Sequence, residues 1–482
     1  KWHNKAPVNG RVMDMADILF SWERFSTKYS GRTGIATSAN PSAPVLSLRA
    51  TDATTIRITL QEPLSYALGL FAPAGVLSGA YAGGPLIVPK EADNGLDLRS
   101  EMVGTGPLSL AEYSPSIRFR LQRNPDYFDQ QRVFVDEVEK PIIIEYAAVR
   151  DQFKAGSLYT FGSHATSFGV TPEDVLPLKQ DAPDINIYLN DPGVVGGGGL
   201  MSLGWLPEGR SPLLDERVRQ ALSMAIDRDA YIDAFGNVSN FEAAGIPIDT
   251  RWNSHLPATH EGWWIDPLSG AFGENARYFK HDLAEAKKLM AAAGFADGFQ
   301  TTAYVPGVEL PYAKGAEVIN GMVSELGISV STDVPLYQTE YIPRFRDGRG
   351  QYEGWAFIST SGGFSGGHPI GQLAIEYWSK GGPAFHGFST NGRSDLSGDR
   401  QLDSMIEKAR LELDEEQAKA QVAEIQRYLA KTMYAINSIG TATGLSVAWP
   451  CVRNYKVYRG GHTASHFYGQ WIDETLPPFK TS

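Results

Sequence analysis

The sequence predicts an α/β protein with more than one domain, and three observations support this fold class. A chain of 482 residues is long enough for two or three domains with sizeable cores. Over residues 299–347 the hydrophobic pattern alternates strand, helix, strand and helix, which indicates a mostly parallel sheet covered by helices. Hydrophobic residues make up 42% of the chain and charged residues 20%, a composition typical of globular rather than disordered proteins.

Two consecutive helices are predicted for residues 211–235. Apolar residues recur there at i, i+3, i+4, i+7 and i+8, so they form one stripe along a helix. Asp215 stands where an N-cap is expected, and Asp227 can cap the second helix, which ends at Gly236. The residues of the stripe are Val218, Ala221, Leu222, Ala225 and Ile226. We expect this helix pair to open a domain.

The remaining elements follow from similar local signals. Asp14 is the expected cap of a helix over residues 15–25, and residues 104–123 are expected to form a turn and a β-hairpin. Asp282 and Glu285 have the spacing of a capping box at the start of a helix that Gly294 ends. Further helices are expected at 64–71, 149–155, 313–326, 339–347, 399–411 and 414–432, and further strands at 45–50, 55–60, 141–146, 185–189, 352–359 and 444–449.

The balance of charge disfavours several classes of partner. A net charge of −12 argues against nucleic acid, whose phosphates require clustered Lys and Arg, and equally against a polybasic membrane surface. No apolar run reaches ~18 residues, so no membrane-spanning helix is predicted. No signal peptide is visible at the start of the sequence. The single cysteine, Cys451, can form neither an internal disulfide nor a cysteine-based metal cage.

The main enzymatic alternative is a serine hydrolase that uses Ser365. Residues 363–367, GFSGG, fit the G-x-S-x-G pattern of a nucleophile elbow and follow a predicted strand. A nucleophile elbow places its serine within a residue or two of the strand, whereas here residues 360–364 intervene, which counts against this interpretation. The residues that could complete a Ser-Asp-His order are Asp395, Asp399 or Asp403 with His386, His462 or His466.

Three other patterns are less specific. His462 and His466 are four residues apart but lack the intervening Glu of an HExxH zinc motif. Residues 104–106, GTG, lack the GK[ST] ending of a phosphate-binding loop. The glycine run 196–199 is either a flexible loop or a place where a ligand approaches backbone amides. We expect no metal and no cofactor.

Several separated motifs resemble one protein family. They include KWHNKAPVN and ADILFSWERF near the start, then GTGPLSL with RNPDYF, RVRQALSMAIDR, and HDLAEAKKLMAAAGF. In this order and spacing they resemble the peptide- and nickel-type extracellular solute-binding proteins of ABC importers, and the resemblance covers nearly the whole chain. It implies a two-lobed periplasmic-binding-protein-like fold of type II, in its large three-subdomain variety, with a hinge and a ligand cleft between the lobes.

The resemblance also implies an organisation and a function. Residues 1–100 would form a small subdomain of lobe one, 101–208 with 437–482 its large subdomain, and 209–436 lobe two. The protein would be a monomeric, non-enzymatic component that encloses a small solute by closing its cleft and delivers it to ABC permease subunits. The solute would be an oligopeptide or a non-peptide such as an oligosaccharide or an opine-like compound. The site of action would be the periplasm or the outer side of a membrane, with attachment by a lipid anchor as an alternative, after export through a signal or lipoprotein leader.

Two features depart from the family pattern. The family has several dozen more residues, including strands of the large subdomain, before the segment that matches Lys1. Its peptide binders also carry an aspartate after a G-W strand that pairs with the amino terminus of the peptide, and here Thr360 or Ser361 occupies that position. A hydroxyl can accept a hydrogen bond from an ammonium group but cannot neutralise it in a desolvated cleft. This departure favours a non-peptide solute.

The segment around residues 355–368 is therefore the expected source of specificity. Its aromatic side chains would offer ring surface, its hydroxyl groups hydrogen bonds, and its glycines backbone amides. Trp252, Trp263 and Trp264 are expected to anchor a loop, with a role at the rim of the cleft as the alternative. The predicted ligand-binding residues are Trp355, Phe357, Ser359, Thr360, Ser361, Phe364, Ser365, His368, Gly197 and Gly198.

Overall fold

The computed structural model describes the chain in two compact units. Unit 1 comprises Lys1–Gln61, Gly84–Asp191 and Leu445–Ser482, and unit 2 comprises Glu62–Gly83 and Pro192–Gly444. The predicted lobe and subdomain boundaries stay a prediction. The described residues are 1–71, 85–162, 169–194, 199–206, 211–307, 312–359, 368–391, 395–455 and 469–480.

The helices and strands are numbered along the chain. Residues 1–194 contain α1 (Met15–Lys28), β1 (Val45–Ala50), β2 (Ile56–Leu60), β3 (Leu108–Ser114), β4 (Arg118–Arg123), β5 (Glu137–Pro141), α2 (Tyr146–Lys154), β6 (Thr160–Phe161), α3 (Pro172–Asp181) and β7 (Asn186–Val194). Residues 199–304 contain β8 (Gly199–Leu203), α4 (Glu216–Ala225), α5 (Arg228–Gly236), α6 (Val238–Ala243), β9 (Thr250–Trp252), α7 (Leu283–Ala292) and β10 (Gln300–Tyr304).

The later elements complete both units. They are α8 (Tyr312–Ser324), β11 (Ser329–Asp333), β12 (Trp355–Ser359), α9 (Pro369–Tyr377), α10 (Arg400–Leu411), α11 (Glu415–Thr432), β13 (Ala435–Ile436), β14 (Gly440–Ala448), β15 (Val452–Arg453) and β16 (Trp471–Ile472). Short 3₁₀ turns lie at Ser30–Gly34, Ala67–Leu70, Gln130–Arg132, Pro212–Leu214 and Gly273–Phe279, and a π-helical segment lies at Tyr337–Arg346.

In unit 1, α1 is fixed by a buried ion pair. Asp17 is completely buried and accepts hydrogen bonds from the indole of Trp2 at 3.1 Å and from the guanidinium of Arg11. Its capping-box partner Asp14 accepts from the backbone N–H of Asp17 at the start of the helix. A carboxylate that is buried this deeply is stable only when it is paired and hydrogen-bonded, so these contacts anchor the start of α1.

Besides helices α2 and α3, unit 1 contains several small sheets. Strands β3, β4 and β5 form an antiparallel sheet, which confirms the predicted hairpin at residues 104–123. Strand β1 pairs with β2, β15 pairs with β16, and the end of β14 pairs with β6. A core cluster of Trp2, Val8, Leu96 and Val103 lies beside α1.

Unit 2 contains a five-stranded sheet in the order β11-β10-β12-β8-β13. The three strands on one side, β11, β10 and β12, are parallel, as the alternation of strands and helices predicts. Strand β8 pairs antiparallel with both of its neighbours, β12 and β13, so β13 runs in the same direction as β10, β11 and β12. Four of the five strands therefore share one direction, and β8 is the strand that departs from the expected mostly parallel sheet. The reason is that β8 and β13 come from distant parts of the chain, which a local pattern does not reveal.

The predicted helix caps of unit 2 are confirmed. The side chain of Asp215 accepts from the backbone N–H of Arg217, and that of Asp227 accepts from the N–H of Ala230. Asn237 adopts a left-handed conformation after α5, which ends that helix. Asp282, Asp399 and Asp414 cap α7, α10 and α11 in the same way.

Three local predictions need correction. The strand expected at residues 141–146 is absent, because β5 ends at Pro141 and Tyr146 is already the first residue of α2. The helix expected at 64–71 is reduced to a 3₁₀ turn at Ala67–Leu70, and the one at 339–347 is π-helical around Pro343. In the described residues, no helix combines the length and the apolarity needed to cross a bilayer.

Candidate functional site

The predicted ligand-binding residues fall into two groups. Trp355, Phe357, Ser359 and His368 lie in the described part of unit 2. The first three belong to β12, and His368 directly precedes α9. The remaining six, Gly197, Gly198, Thr360, Ser361, Phe364 and Ser365, lie outside the described residues.

Trp355 and Phe357 are core residues of unit 2. Their exposed fractions are 0% and 1%. The indole of Trp355 donates to Oδ1 of Asn320 at 3.2 Å, and the backbone carbonyl of Phe357 accepts from the Tyr341 hydroxyl at 2.5 Å. Burial of both rings counts against a direct contact with a ligand, and their assignment as binding residues stays a prediction.

His368 forms the N-cap of α9. Its Nδ1 accepts from the backbone N–H of Ile370 at 3.3 Å. Burial, helped by the nearby His260, lowers the pKa of His368 to about 4, so the ring is neutral at pH 7. In a neutral imidazole whose Nδ1 accepts, the proton is on Nε2. His368 is therefore suited to donate a hydrogen bond to an oxygen atom of a solute rather than to pair with an anion as a cation.

Two aromatic rings hold the His368 ring in place. The ring of Tyr66 stacks on it with centroids 5.3 Å apart and planes inclined by 19°. The indole of Trp263 meets it edge to face at 4.9 Å. Lys419 lies over Trp263 at 5.9 Å. We call Tyr66, Trp263 and His368 the aromatic cluster, and its rigid ring packing fixes the direction of the imidazole N–H.

Tyr66 is fixed in turn by charged neighbours. Arg410, which lies beside the Tyr66 phenol, forms an ion pair with Glu62 at 2.8 Å and stacks over Trp378 at 4.1 Å. Sequence reasoning missed Tyr66, because nothing in the local pattern of residues 62–71 indicates which distant ring it meets. The sequence predicts Trp263 as a loop anchor or a cleft-rim residue, and the structure places it against His368.

The aspartates proposed for a catalytic triad have structural roles. Asp399 caps α10 and accepts from the hydroxyls of Tyr428 and Tyr434 at 2.5 and 2.9 Å. Asp403 accepts from the backbone N–H and the hydroxyl of Ser379. Asp395 accepts from Asn391 and from the backbone N–H of Ser397. None of these contacts involves a histidine.

The histidines proposed for the triad do not support it either. His386 is 2% exposed, and its Nδ1 lies 3.2 Å from the hydroxyl of Ser202, not from a carboxylate. Burial lowers the pKa of His386 to about 3. His462 and His466 lie outside the described residues, as does Ser365. Within the ranges that the structure describes, no group of three His, Cys, Asp or Glu is placed to hold a metal ion.

The sequence profile described as bacterial extracellular solute-binding proteins, family 5 Middle, matches residues 1–374. The chain belongs to this family. Among curated relatives it is 24% identical to di/tripeptide-binding protein 1 of Pseudomonas aeruginosa strain UCBPP-PA14 over 352 residues, which is 70% of this chain and 59% of that protein. The predicted family is therefore confirmed.

Solved structures confirm the fold class of this family 5 protein. The periplasmic binding protein AgaA of A. tumefaciens R10, in complex with agropinic acid, is similar with a TM-score of 0.70 and 19% identity over 98% of this chain and 85% of that one. DppA of Helicobacter pylori, in complex with the peptide STSA, gives 0.67 and 20% over 98% and 84%. The chain thus has the α/β fold of periplasmic binding proteins, and its family consists of solute-binding proteins, not of enzymes.

Proposed function

We propose that this chain is the solute-binding component of an ABC importer. It captures one small solute, encloses it in the cleft between two lobes and delivers it to permease subunits in the membrane. The observation that carries this proposal is the family match over residues 1–374. The protein acts as a monomer in the periplasm or at the outer side of a membrane, where a lipid anchor would keep it close to its permease.

We further propose that the solute is not an unmodified peptide. The family's peptide binders use an aspartate for the peptide ammonium, and Thr360 or Ser361 occupies that position here. The described end of the same segment, His368, is a neutral N–H donor that suits a carbonyl, hydroxyl or carboxylate oxygen. An opine-like compound such as agropinic acid, the ligand of AgaA, is a candidate of this class, since a carboxylic acid brings oxygen acceptors for such a donor.

Isothermal titration calorimetry tests the solute class. The panel comprises agropinic acid, a series of oligosaccharides, an unmodified dipeptide and the tetrapeptide STSA. We expect one binding site per chain and the tightest binding for a non-peptide member of the panel. Tight binding of the unmodified dipeptide, with none for agropinic acid or the sugars, would contradict the proposed class but not the binding function itself.

We propose that the protein has no hydrolytic activity. Among the described residues, Asp399, Asp403 and His386 are engaged in structural contacts, which does not fit a role for them in proton transfer to a nucleophile. A fluorophosphonate probe labels activated serines, so we expect no labelling of the native chain. Labelling that disappears in Ser365→Ala would refute the binding-protein assignment, and a catalytically dead serine hydrolase labelled in parallel provides the negative control.

A further inference from the structure

A small polar cavity lies inside unit 2, away from the aromatic cluster. About 10 Å³ of it is open to the centre of a water molecule, which is the space that one buried water needs. Its wall combines the start of α5, the loop after β9 and strand β13. The lining residues are Ser223, Arg228, Asn253, Ser254, His255, Phe279, Met433, Ala435, Ile436 and Asn437.

Arg228 brings a buried positive charge to this cavity. The side chain is 3% exposed, and its two terminal nitrogens donate to the Phe279 carbonyl at 2.5 Å, the Ser223 carbonyl at 3.1 Å and the Ser223 hydroxyl at 2.9 Å. The guanidinium also lies over the Phe279 ring at 5.4 Å. Its Nε–H has no hydrogen-bond acceptor among the described residues. One donor of a buried cation is therefore left without a partner.

His255 brings the complementary group. The residue is 1% exposed, and neither ring nitrogen is in hydrogen-bonding geometry with a described atom. Burial lowers the pKa of His255 to about 3, while the carbonyl of Ala435 lies near enough to oppose this shift. The ring is therefore neutral at pH 7. One ring nitrogen carries an N–H, from which the Ala435 carbonyl can accept a hydrogen bond. The other ring nitrogen has a lone pair that needs a hydrogen-bond donor.

The other polar side chains of the wall already have hydrogen-bond partners. Oδ1 of Asn437 accepts from the backbone N–H of Ser438 at 2.8 Å and from its hydroxyl at 3.3 Å. Asn253 donates to the hydroxyl of Ser438 at 2.8 Å and accepts from the backbone N–H of Ala258 at 2.8 Å. The hydroxyl of Ser254 donates to Oε1 of Gln426 at 2.8 Å. The unmet demand of the cavity is thus one acceptor for Arg228 and one donor for His255. A single water molecule supplies both, since it accepts one hydrogen bond while donating another.

We propose that one water molecule is a permanent structural ligand of this cavity, accepting from Nε of Arg228 and donating to a ring nitrogen of His255. It joins α5 to the loop after β9 beside β13. An unsatisfied polar group inside a protein costs free energy, so the water stabilises unit 2 by completing two buried groups at once. The hydrogen-bond pattern favours water over a halide ion, because a halide can accept from Nε of Arg228 but cannot donate to a ring nitrogen of His255.

A high-resolution crystal structure of the native chain tests the site directly. We expect a peak for one water within ~3.2 Å of both Arg228 Nε and a His255 ring nitrogen. A crystal soaked in bromide distinguishes a water molecule from a halide ion, because bromide gives an anomalous signal and water does not. We expect no anomalous signal at the cavity. A cavity without density, or a bromide peak within it, would overturn the proposal.

Oxygen-17 relaxation dispersion provides an independent test in solution, because it counts buried water molecules that stay longer than the protein takes to tumble but still exchange with bulk water within microseconds. His255→Phe removes the acceptor, so we expect the count to fall by one relative to the native chain. His260→Phe is the matched control, since His260 is also a buried histidine but bonds to Gln372 at 2.9 Å and does not line the cavity. An unchanged count in folded His255→Phe would contradict the proposal, and the native crystal structure decides the question if that variant does not fold.

Discussion

The imidazole of His368 and the phenol of Tyr66 stack at a centroid distance of 5.3 Å, although the two residues are far apart in the sequence. This contact ties the segment after Gln61 to the start of α9 inside unit 2. His368 also caps α9 through its Nδ1, so one side chain links a helix start to an aromatic cluster. We propose that its Nε2–H is the group offered to the solute.

Two substitutions of His368 distinguish its proposed hydrogen bond to the solute from its stacking on Tyr66. His368→Phe keeps the ring that stacks on Tyr66 but removes the N–H donor, so we expect solute binding to weaken about 10-fold, the effect of one hydrogen bond of ~1.4 kcal/mol. His368→Asn keeps a side-chain donor and an N-cap acceptor but loses the stack. Calorimetry with the tightest panel ligand measures both. Equal affinity of His368→Phe and the native chain would contradict the donor role.

Buried histidines make the protein less stable in acid. The folded-state pKa of His386 is lowered to about 3 by burial, whereas an unfolded histidine titrates near 6.5. Above pH ~6.5 both states are neutral, and as the pH falls the unfolded state binds the proton first, so stability is lost on acidification. Each such histidine contributes a loss of about 1.4 kcal/mol per pH unit between these two pKa values. His255 and His368 act in the same direction.

Urea unfolding measured over the range from pH ~7.5 to pH ~4 checks this prediction. His386→Gln can keep a bond to the Ser202 hydroxyl but does not titrate. We therefore expect its free energy of unfolding to fall less steeply with acidification than that of the native chain. The same slope in both proteins would show that His386 is not held neutral in the folded state.

The ion pair between Asp17 and Arg11 in unit 1 is expected to contribute more to the free energy of unfolding than a surface ion pair. Asp17→Asn removes the buried negative charge and replaces one acceptor oxygen by an amide that faces other donors, while Arg11 keeps its second partner Glu91. We expect a destabilisation of about 2 kcal/mol. Asp93→Asn is the control, because Asp93 pairs with Arg24 and Lys28 at the surface and is expected to cost at most ~1 kcal/mol. Both values come from urea unfolding near pH 7. Comparable losses in the two variants would contradict the dominant role of Asp17.

Asp399 is predicted to be a structural residue, not a member of a triad. Asp399→Asn retains an acceptor for the start of α10 but weakens the bonds from Tyr428 and Tyr434, and we expect a loss of about 2 kcal/mol. Asp395→Asn is the exposed control, and because its bonds to Asn391 and Ser397 are solvent-exposed we expect a loss well below that of Asp399→Asn. Native stability in folded Asp399→Asn would show that the two tyrosine bonds contribute little.

Local features of the fold could be predicted from the sequence and non-local ones could not. The caps formed by Asp14, Asp215 and Asp227 are confirmed because a cap depends on residues within one helical turn. The insertion of the antiparallel strand β8 between β12 and β13 depends on pairings between distant residues, which no local pattern encodes. The apolar run at residues 142–144 misled the strand prediction, because a short apolar run fits more than one conformation.

The candidate site was predictable in part. The departure from the family's aspartate marks residues 355–368 from the sequence alone. Within that segment, His368 is a described residue whose Nδ1 caps a helix, which leaves Nε2–H as a donor. Tyr66 could not be found, because its contact with His368 exists only in the folded chain. Alternation along β12 places Trp355 and Phe357 on one face of the strand but does not indicate that this face is enclosed.

A crystal structure of the chain with the tightest ligand of the calorimetric panel tests the central claim most directly. We predict that an oxygen atom of a non-peptide solute lies within hydrogen-bonding distance of Nε2 of His368, with the stack on Tyr66 preserved. A solute bound away from the aromatic cluster, or an ammonium group of a peptide paired with a carboxylate of the protein, would contradict the account.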